Sequence, residues 1–132
     1  MEKKLICFDT SIFIDHFRKK DKANTKLSLL TDQHNDFFVS IVTVFEIYVG
    51  VKKGNQIIFW NNLLAHYKII EFREKENHQA IKIYKNLKSR NRMIESPDIF
   101  IAATAIANNL KFATLNQEQF GRIEGLYLHN FN

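Results

Sequence analysis

Short apolar runs alternate with amphipathic stretches along this chain, and the spacing predicts strands separated by helices. Strands are expected over Lys4–Phe8, Phe37–Ser40, Lys68–Phe72 and Phe112–Leu115, with a short edge strand over Leu126–Leu128. Helical periodicity fills the intervals. Ser11–Lys19 sets Ile12, Phe13 and Phe17 against Asp15, Arg18 and Lys19, and Asn24–Asp32 reads as a shorter helix. Thr43–Val51 is closed by Gly50 and Gly54, with Lys52 and Lys53 favourably placed at its carboxyl end. Asn55–His66 offers Ile58, Trp60, Leu63 and Leu64 as its apolar positions, with Phe59 and Trp60 necessarily facing different ways. Glu74–Lys88 places Ala80, Ile81, Tyr84 and Leu87 at helical spacing. Asp98–Asn109 is apolar nearly all round from Ile99 to Ala107, the mark of a buried helix, and ends at Asn108-Asn109, which suits a left-handed cap. Strands separated by helices call for an α/β fold: a mainly parallel sheet of four to five strands with right-handed crossovers and helices on both faces.

Composition narrows the class. Hydrophobic residues make up 45% of the chain and charged residues 25%, which excludes a disordered polymer. A chain of 132 residues suits a single domain over 1–132 with a real core, and four glycines and one proline leave only short connections. The single cysteine, Cys7, excludes an intramolecular disulfide and, inside the first strand, reads as a buried inert thiol. Glu2-Lys3-Lys4 leads into an apolar run that meets Asp9 at once, unlike a secretory signal, and no segment is apolar for long enough to span a bilayer. A cytoplasmic protein with no membrane partner is expected. The formal net charge of +5 biases the chain towards anionic partners, nucleic acid first. Its densest basic run, Lys82, Lys85, Lys88, Arg90 and Arg92, leads towards Asp98; Lys88, Arg90 and Arg92 are candidate phosphate contacts, and Arg18, Lys19 and Lys20 follow the first helix in the same manner.

Three acids stand at structurally pointed places. Asp9 in LICFDTSIFID falls where a strand ends and a helix begins, the edge at which open α/β sheets bind ligands. Thr10 or Ser11 suits a helix N-cap there, and Ser11 at a helix N-terminus also suits a phosphate. Ser96-Pro97-Asp98 reads as N-cap, proline at the first helical position and an acid in the first turn, on a helix that carries that acid into the interior. Glu46 lies in SIVTVFEIYVG, a mostly apolar helical run in which an ionised glutamate is seldom buried without a partner. Each has a purely structural explanation when taken alone: a strand end, a helix cap, a snorkelling side chain. The five histidines, His16, His34, His66, His78 and His129, are scattered without metal-ligand spacing, and no Ser/His/Asp or Cys/His nucleophile set is present.

FDTSIFID, TVFEIYVG and SPDIFIAATAIANN followed by FATLN together resemble the signature segments of PIN-domain nucleases, in order and over Leu5 to about Leu128. The length is similar to that of VapC-type toxins of bacterial toxin–antitoxin pairs. The resemblance implies a three-layer α/β/α fold and cleavage of RNA dependent on Mg²⁺ or Mn²⁺. It maps the catalytic, metal-binding acids onto Asp9, Glu46 and Asp98 and gives supporting roles to Ser11, Thr43 and Thr114. It also implies a homodimer and a small cognate antitoxin laid over an apolar groove. Many members carry a fourth acid in the segment that reads Thr114-Leu115-Asn116-Gln117-Glu118-Gln119-Phe120 here. Asn116 and Gln119 occupy the fitting positions and Glu118 is one residue out of register, so three metal-site carboxylates are expected, with Asn116 as a neutral ligand or a hydrogen-bond partner of a water.

The chemistry wants such a cluster. Carboxylates about 5 Å apart repel by roughly 3 kcal/mol per pair at an effective dielectric near 20. They must take up protons or a cation, and hard divalent ions take oxygen ligands. Two other functions compete with a nuclease toxin that inhibits translation and growth. One is a PIN-like module that grips RNA without cutting it, motivated by the missing fourth acid. The other is a receiver-type phosphoacceptor domain, which would want paired acids after strand one and an acceptor aspartate after a middle strand; the chain offers Glu46 inside a helix instead.

Overall fold

The computed structural model describes residues 5–131. Its elements run β1 (Leu5–Phe8), α1 (Thr10–Arg18), a 3₁₀ turn (Lys22–Asn24), α2 (Lys26–Thr31), β2 (Asp36–Ser40), α3 (Ile41–Val49), α4 (Gly54–Leu64), β3 (Lys68–Ile70), α5 (Glu74–Ser89), α6 (Ser96–Ala107), β4 (Lys111–Ala113) and α7 (Gln117–Phe120). The four strands form one parallel sheet in the order β3-β2-β1-β4. Helices fill both faces, so the expected three-layer α/β/α architecture is present.

The period-2 alternation of β1 explains the layering. Ile6 and Phe8 point into one core with Phe13, Leu27, Trp60 and Leu64, from α1, α2 and α4. Cys7 points into the other with Ala80, Leu87, Ile101 and Ala103, from α5 and α6. Cys7 is fully buried and its thiol is pushed up to about 12 by burial, then by the charge of Asp9, which agrees with an inert role. α6 is closed in as its apolar circumference requires, with Ile101, Ala102, Ala103 and Ala105 fully buried. No helix among the described residues is long and apolar enough to cross a membrane.

Several boundaries differ from expectation, each for a local reason. Lys4 lies outside the described residues. Helix α1 starts at Thr10, with Asp9 in the N-cap position, so neither Thr10 nor Ser11 is the cap. The helix expected over Asn24–Asp32 divides into the 3₁₀ turn and α2, because the Thr25 hydroxyl accepts from Ser28 N and caps α2 at that point. Ser40 caps α3 through Val42 N, which starts that helix two residues before Thr43. Helix α6 starts at Ser96 with Glu95 as N-cap, which moves Pro97 and Asp98 one position inward from the expected arrangement. β3 ends at Ile70 instead of Phe72. The stretch Leu126–Leu128 contributes a single parallel bridge, Leu128 to Phe112, in place of a strand. α7, which is only one turn long, was absent from the sequence-based expectation.

Strand order positions the site. β2 and β3 extend the sheet to one side of β1 and β4 lies on the other, so the order in which strands are added reverses between β1 and β4, although the two run parallel. The ladder continues one step past the strands, Asp9 N donating to Ala113 O at 2.9 Å. The crevice at such a reversal, beyond the carboxyl ends of the strands, is where these sheets receive ligands. It holds Asp9 and Thr114.

Phe13 is fully buried and meets Tyr67 and Phe8 edge-on, with ring centroids 5.2 and 5.9 Å away. Phe13→Ala should cost about 3–5 kcal/mol of stability, read as a lower urea midpoint at unchanged m-value. A loss below about 1 kcal/mol would show that this aromatic layer is not part of the rigid core.

Candidate active site

The centre of the site is Asp9, only 2% exposed. A carboxylate so placed needs hydrogen-bond donors to offset its lost hydration. Two hydroxyls supply them, both to Oδ2: Ser11 Oγ at 2.8 Å and Thr114 Oγ1 at 2.7 Å. The two hydroxyls lie 3.3 Å apart and are themselves held. Leu115 N donates to Ser11 Oγ and Asn116 N to Thr114 Oγ1, each at 3.0 Å. Gln117 Nε2 donates to Thr114 O at 2.6 Å. The loop after β4 is thereby fastened to the loop after β1.

Glu46 approaches from α3. Thr10 Oγ1 donates to Glu46 Oε1 at 2.6 Å and lies 3.0 Å from Thr43 Oγ1, one turn earlier on α3. Thr43 is fully buried and Glu46 partly so. Thr10 was not singled out as a site residue from the sequence. The signal is visible in hindsight: consecutive residues in a first helical turn point about 100° apart, so the hydroxyls of Thr10 and Ser11 reach opposite flanks of Asp9, one to α3 and one to the β4 loop.

Asp98 sits in the first turn of α6, half-buried. Its carboxyl is pushed up to about 6, first by burial and then by the charges of Asp9, Glu46 and Glu95. The structure therefore brings Asp9, Glu46 and Asp98 into one field, and all the groups that lift Asp98 are acids. Glu95, the α6 N-cap, is a contributor the sequence did not point out.

The remaining candidates are placed differently. Asn116 is exposed at the N-cap of α7 and enters the network through its backbone N–H. Lys88 Nζ rests 5.9 Å from the centre of the Tyr84 ring. Arg90 donates through Nη2 to Arg122 O and through Nε to Asn86 Oδ1 at 3.0 Å. Arg92 Nη2 lies 3.4 Å from Glu118 Oε2. Glu118 is also taken up by Arg122, whose guanidinium holds its carboxyl below the usual range. This exposed acid is thus committed to arginines.

The donor set suits a hard divalent cation: carboxylates and hydroxyls, with no sulfur or imidazole among the groups just named. Among the described residues no three His, Cys, Asp or Glu side chains lie close enough together to share one ion directly. An ion shared by Asp9, Glu46 and Asp98 would therefore have to be held partly through water, as Mg²⁺ commonly is.

Known proteins share this chain's sequence pattern and fold. The PIN domain family matches residues 6–126. Ribonuclease VapC1 of Methanocaldococcus jannaschii is 31% identical over 123 residues, covering 93% of this chain and 84% of that protein. The fold is shared with VapBC2 from Rickettsia felis, solved bound to a DNA fragment from its promoter, at a TM-score of 0.81 and 23% identity over 97% of this chain and 99% of that one. It is shared also with a toxin–antitoxin complex from Klebsiella pneumoniae, at a TM-score of 0.76 and 26% identity over 95% of this chain and 96% of that one. Sheet order, the acid-bearing crevice and the extent of the match together make this chain a member of the PIN domain family.

Proposed function

We propose that the protein is a metal-dependent endoribonuclease of the VapC type, a toxin that inhibits translation and growth unless a cognate antitoxin covers it. The carrying observation is the clamped carboxylate of Asp9 at the β1/β4 crevice, in one electrostatic field with Glu46 and Asp98. The curated relative named as a ribonuclease and the toxin–antitoxin complex of the same fold support the same reading. Asp9, Asp98 and Glu46 would hold Mg²⁺ or Mn²⁺, directly or through water. When bound, such an ion acidifies water and stabilises charge on phosphoryl oxygens.

The chain's own groups have distinct tasks. Ser11 and Thr114 occupy Oδ2 of Asp9 and fix the plane of its carboxylate, leaving Oδ1 to face a cation. Thr10 occupies Oε1 of Glu46, leaving its other oxygen to bind a cation or orient the attacking water. Asn116 adds no charge at the rim. Lys88, Arg90 and Arg92 and the basic end of α1 supply a salt-sensitive field for the RNA backbone. Two apolar surfaces support protein partners, a second copy and an antitoxin: the α3 stripe Ile41, Phe45 and Val49, and Ile57 and Ile58 on α4, all exposed. A cytoplasmic location accords with an RNA substrate.

A catalytically weakened RNA-binding module is the second reading. It is favoured by the neutral Asn116 and by the absence, among the described residues, of three acids close enough to share an ion directly.

Wild-type protein should cleave single-stranded RNA in Mg²⁺ or Mn²⁺ and stop in EDTA, and Asp9→Asn and Asp98→Asn should each lower the rate at least about 100-fold, the size of effect expected when a metal-site group is lost. Retention of wild-type cleavage by either variant would remove these acids from the chemistry. RNA binding without product by clean wild-type protein would establish the second reading.

Asp98 also predicts a stability signature. Folding holds its proton up to about pH 6, whereas an unfolded aspartate releases it near about pH 3.9. The folded state thus binds more protons between these values, and this group's contribution to stability falls as pH rises through that window. In EDTA, Asp98→Asn should melt higher than wild type at pH 7.5, with the gap narrowing as pH falls from 6 towards 4. Adding Mg²⁺ at pH 7.5 should stabilise wild type more than the variant. A gap independent of pH would show that Asp98 does not carry this repulsion.

A further inference from the structure

Arg90, Arg92 and Arg122 make contacts around the α5–α6 connection and α7, and one of them links the two. Arg122 lies two residues beyond the end of α7 and is largely covered, its side chain 24% exposed. Its guanidinium forks onto Glu118, with Nη2 to Oε1 at 2.9 Å and Nε to Oε2 at 3.2 Å. The remaining arm, Nη1, donates to Met93 O at 3.1 Å. Arg90 in turn donates to the carbonyl of Arg122. Residues 90–95 connect α5 to α6 and deliver Asp98, while α7 follows directly on the loop that clamps Asp9. Arg122 therefore joins the carrier of one acid to the carrier of the other.

The backbone is shaped for this bridge. Asn91 takes a left-handed φ of +53°, and Arg92 N returns to Leu87 O, turning the chain back at the end of α5. Gly121 closes α7 so tightly that a Cβ there would meet Gln117 O at 2.8 Å. Beneath the bridge Ile94 packs in the same core as Phe120 and Ile123.

We propose that Arg122 is a positioning residue of the acid site: by bracing Glu118 of α7 against Met93 of the α5–α6 connection, it sets where Asp98 stands relative to the hydroxyl clamp on Asp9. The proposal rests on the metal-site reading above. A bidentate fork with a third directed bond fixes orientation in a way a lysine point charge does not. It also gives Arg122 a role other than contacting RNA, because each of its three guanidinium nitrogens already donates to protein.

The test separates positioning from phosphate binding. Mn²⁺ alone is titrated calorimetrically into wild type, Arg122→Ala and Arg122→Lys. kcat and KM are measured on a short single-stranded RNA, and the RNA Kd without metal is followed against salt. Arg122→Ala should weaken Mn²⁺ binding about 10- to 100-fold, the range seen when groups that orient metal ligands are lost. It should lower kcat and leave the RNA Kd and its salt slope unchanged. Arg122→Lys, keeping the charge without the fork, should recover only part of the loss. Should Arg122→Ala fail to fold, Glu118→Gln breaks the same fork from an exposed position and should shift Mn²⁺ affinity and kcat in the same direction. Wild-type Mn²⁺ affinity and kcat in the variants would overturn the proposal, leaving the acid site intact. A loss confined to RNA Kd, with a salt slope smaller by about one, would also overturn it and make Arg122 a phosphate contact. If wild type itself binds no Mn²⁺, the metal-site reading falls and this proposal with it.

Discussion

Three carboxylates gathered at one sheet edge repel one another, and much of the polar architecture of this protein keeps them there. Like charges held at one edge cost folding free energy, set against a typical net stability of about 5–15 kcal/mol for a whole domain. The sheet carries the load. Asp9 follows directly on the β1–β4 ladder, so its backbone cannot retreat without breaking Asp9 N to Ala113 O. The hydroxyls of Ser11 and Thr114 then replace the water that its buried carboxylate has lost. What the sheet does not offset appears at Asp98, whose proton affinity rises first through burial and then through the field of the other acids.

The site has a rigid half and a borne half. Asp9 and Thr114 directly follow adjacent parallel strands, and Ser11 in the first turn of α1 joins them. Glu46 and Asp98 ride on helices, and their placement depends on side-chain bonds between elements: Thr10 to Glu46 on one flank, and Arg122 between Glu118 and Met93 on the other. A cation would relieve the repulsion these bonds oppose, which ties ligand affinity and folding stability to the same charges. Such a balance explains why the hydroxyls of Thr10, Ser11, Thr43 and Thr114 gather around Asp9 and Glu46.

Much of the fold was legible because it rests on local patterns. The alternation of Ile6, Cys7 and Phe8 between two cores, the all-apolar α6 and the Asn109 turn at its end each follow from residue type and spacing. Helix starts were less legible, since they depend on which side chain reaches which N–H. Ser40 and Thr25 cap their helices, whereas Asp9 and Glu95 stand at N-cap positions without side-chain capping bonds. One-turn α7 lacks the length to generate a periodic signal. At the site the three acids were visible through family resemblance more than through chemistry, because each has an ordinary structural explanation alone. Thr10 and Arg122 escaped notice for a different reason: their partners lie 36 residues away on α3 and 29 residues away at Met93, and pairing at that range becomes visible only in three dimensions. The basic run at Lys88, Arg90 and Arg92 suggested RNA contacts, but Arg90 and Arg92 also take part in the α5–α6–α7 junction.

Asp9, Glu46 and Asp98 are proposed to form one cation site. Its most direct test is crystallographic: crystals of the wild-type chain soaked in Mn²⁺, with anomalous differences measured near the manganese edge. An anomalous peak is expected in the β1/β4 crevice among these three carboxylates, absent from Asp9→Asn crystals treated identically. A crevice without a peak in protein that cleaves RNA in Mn²⁺, or a peak held by other residues, would contradict it.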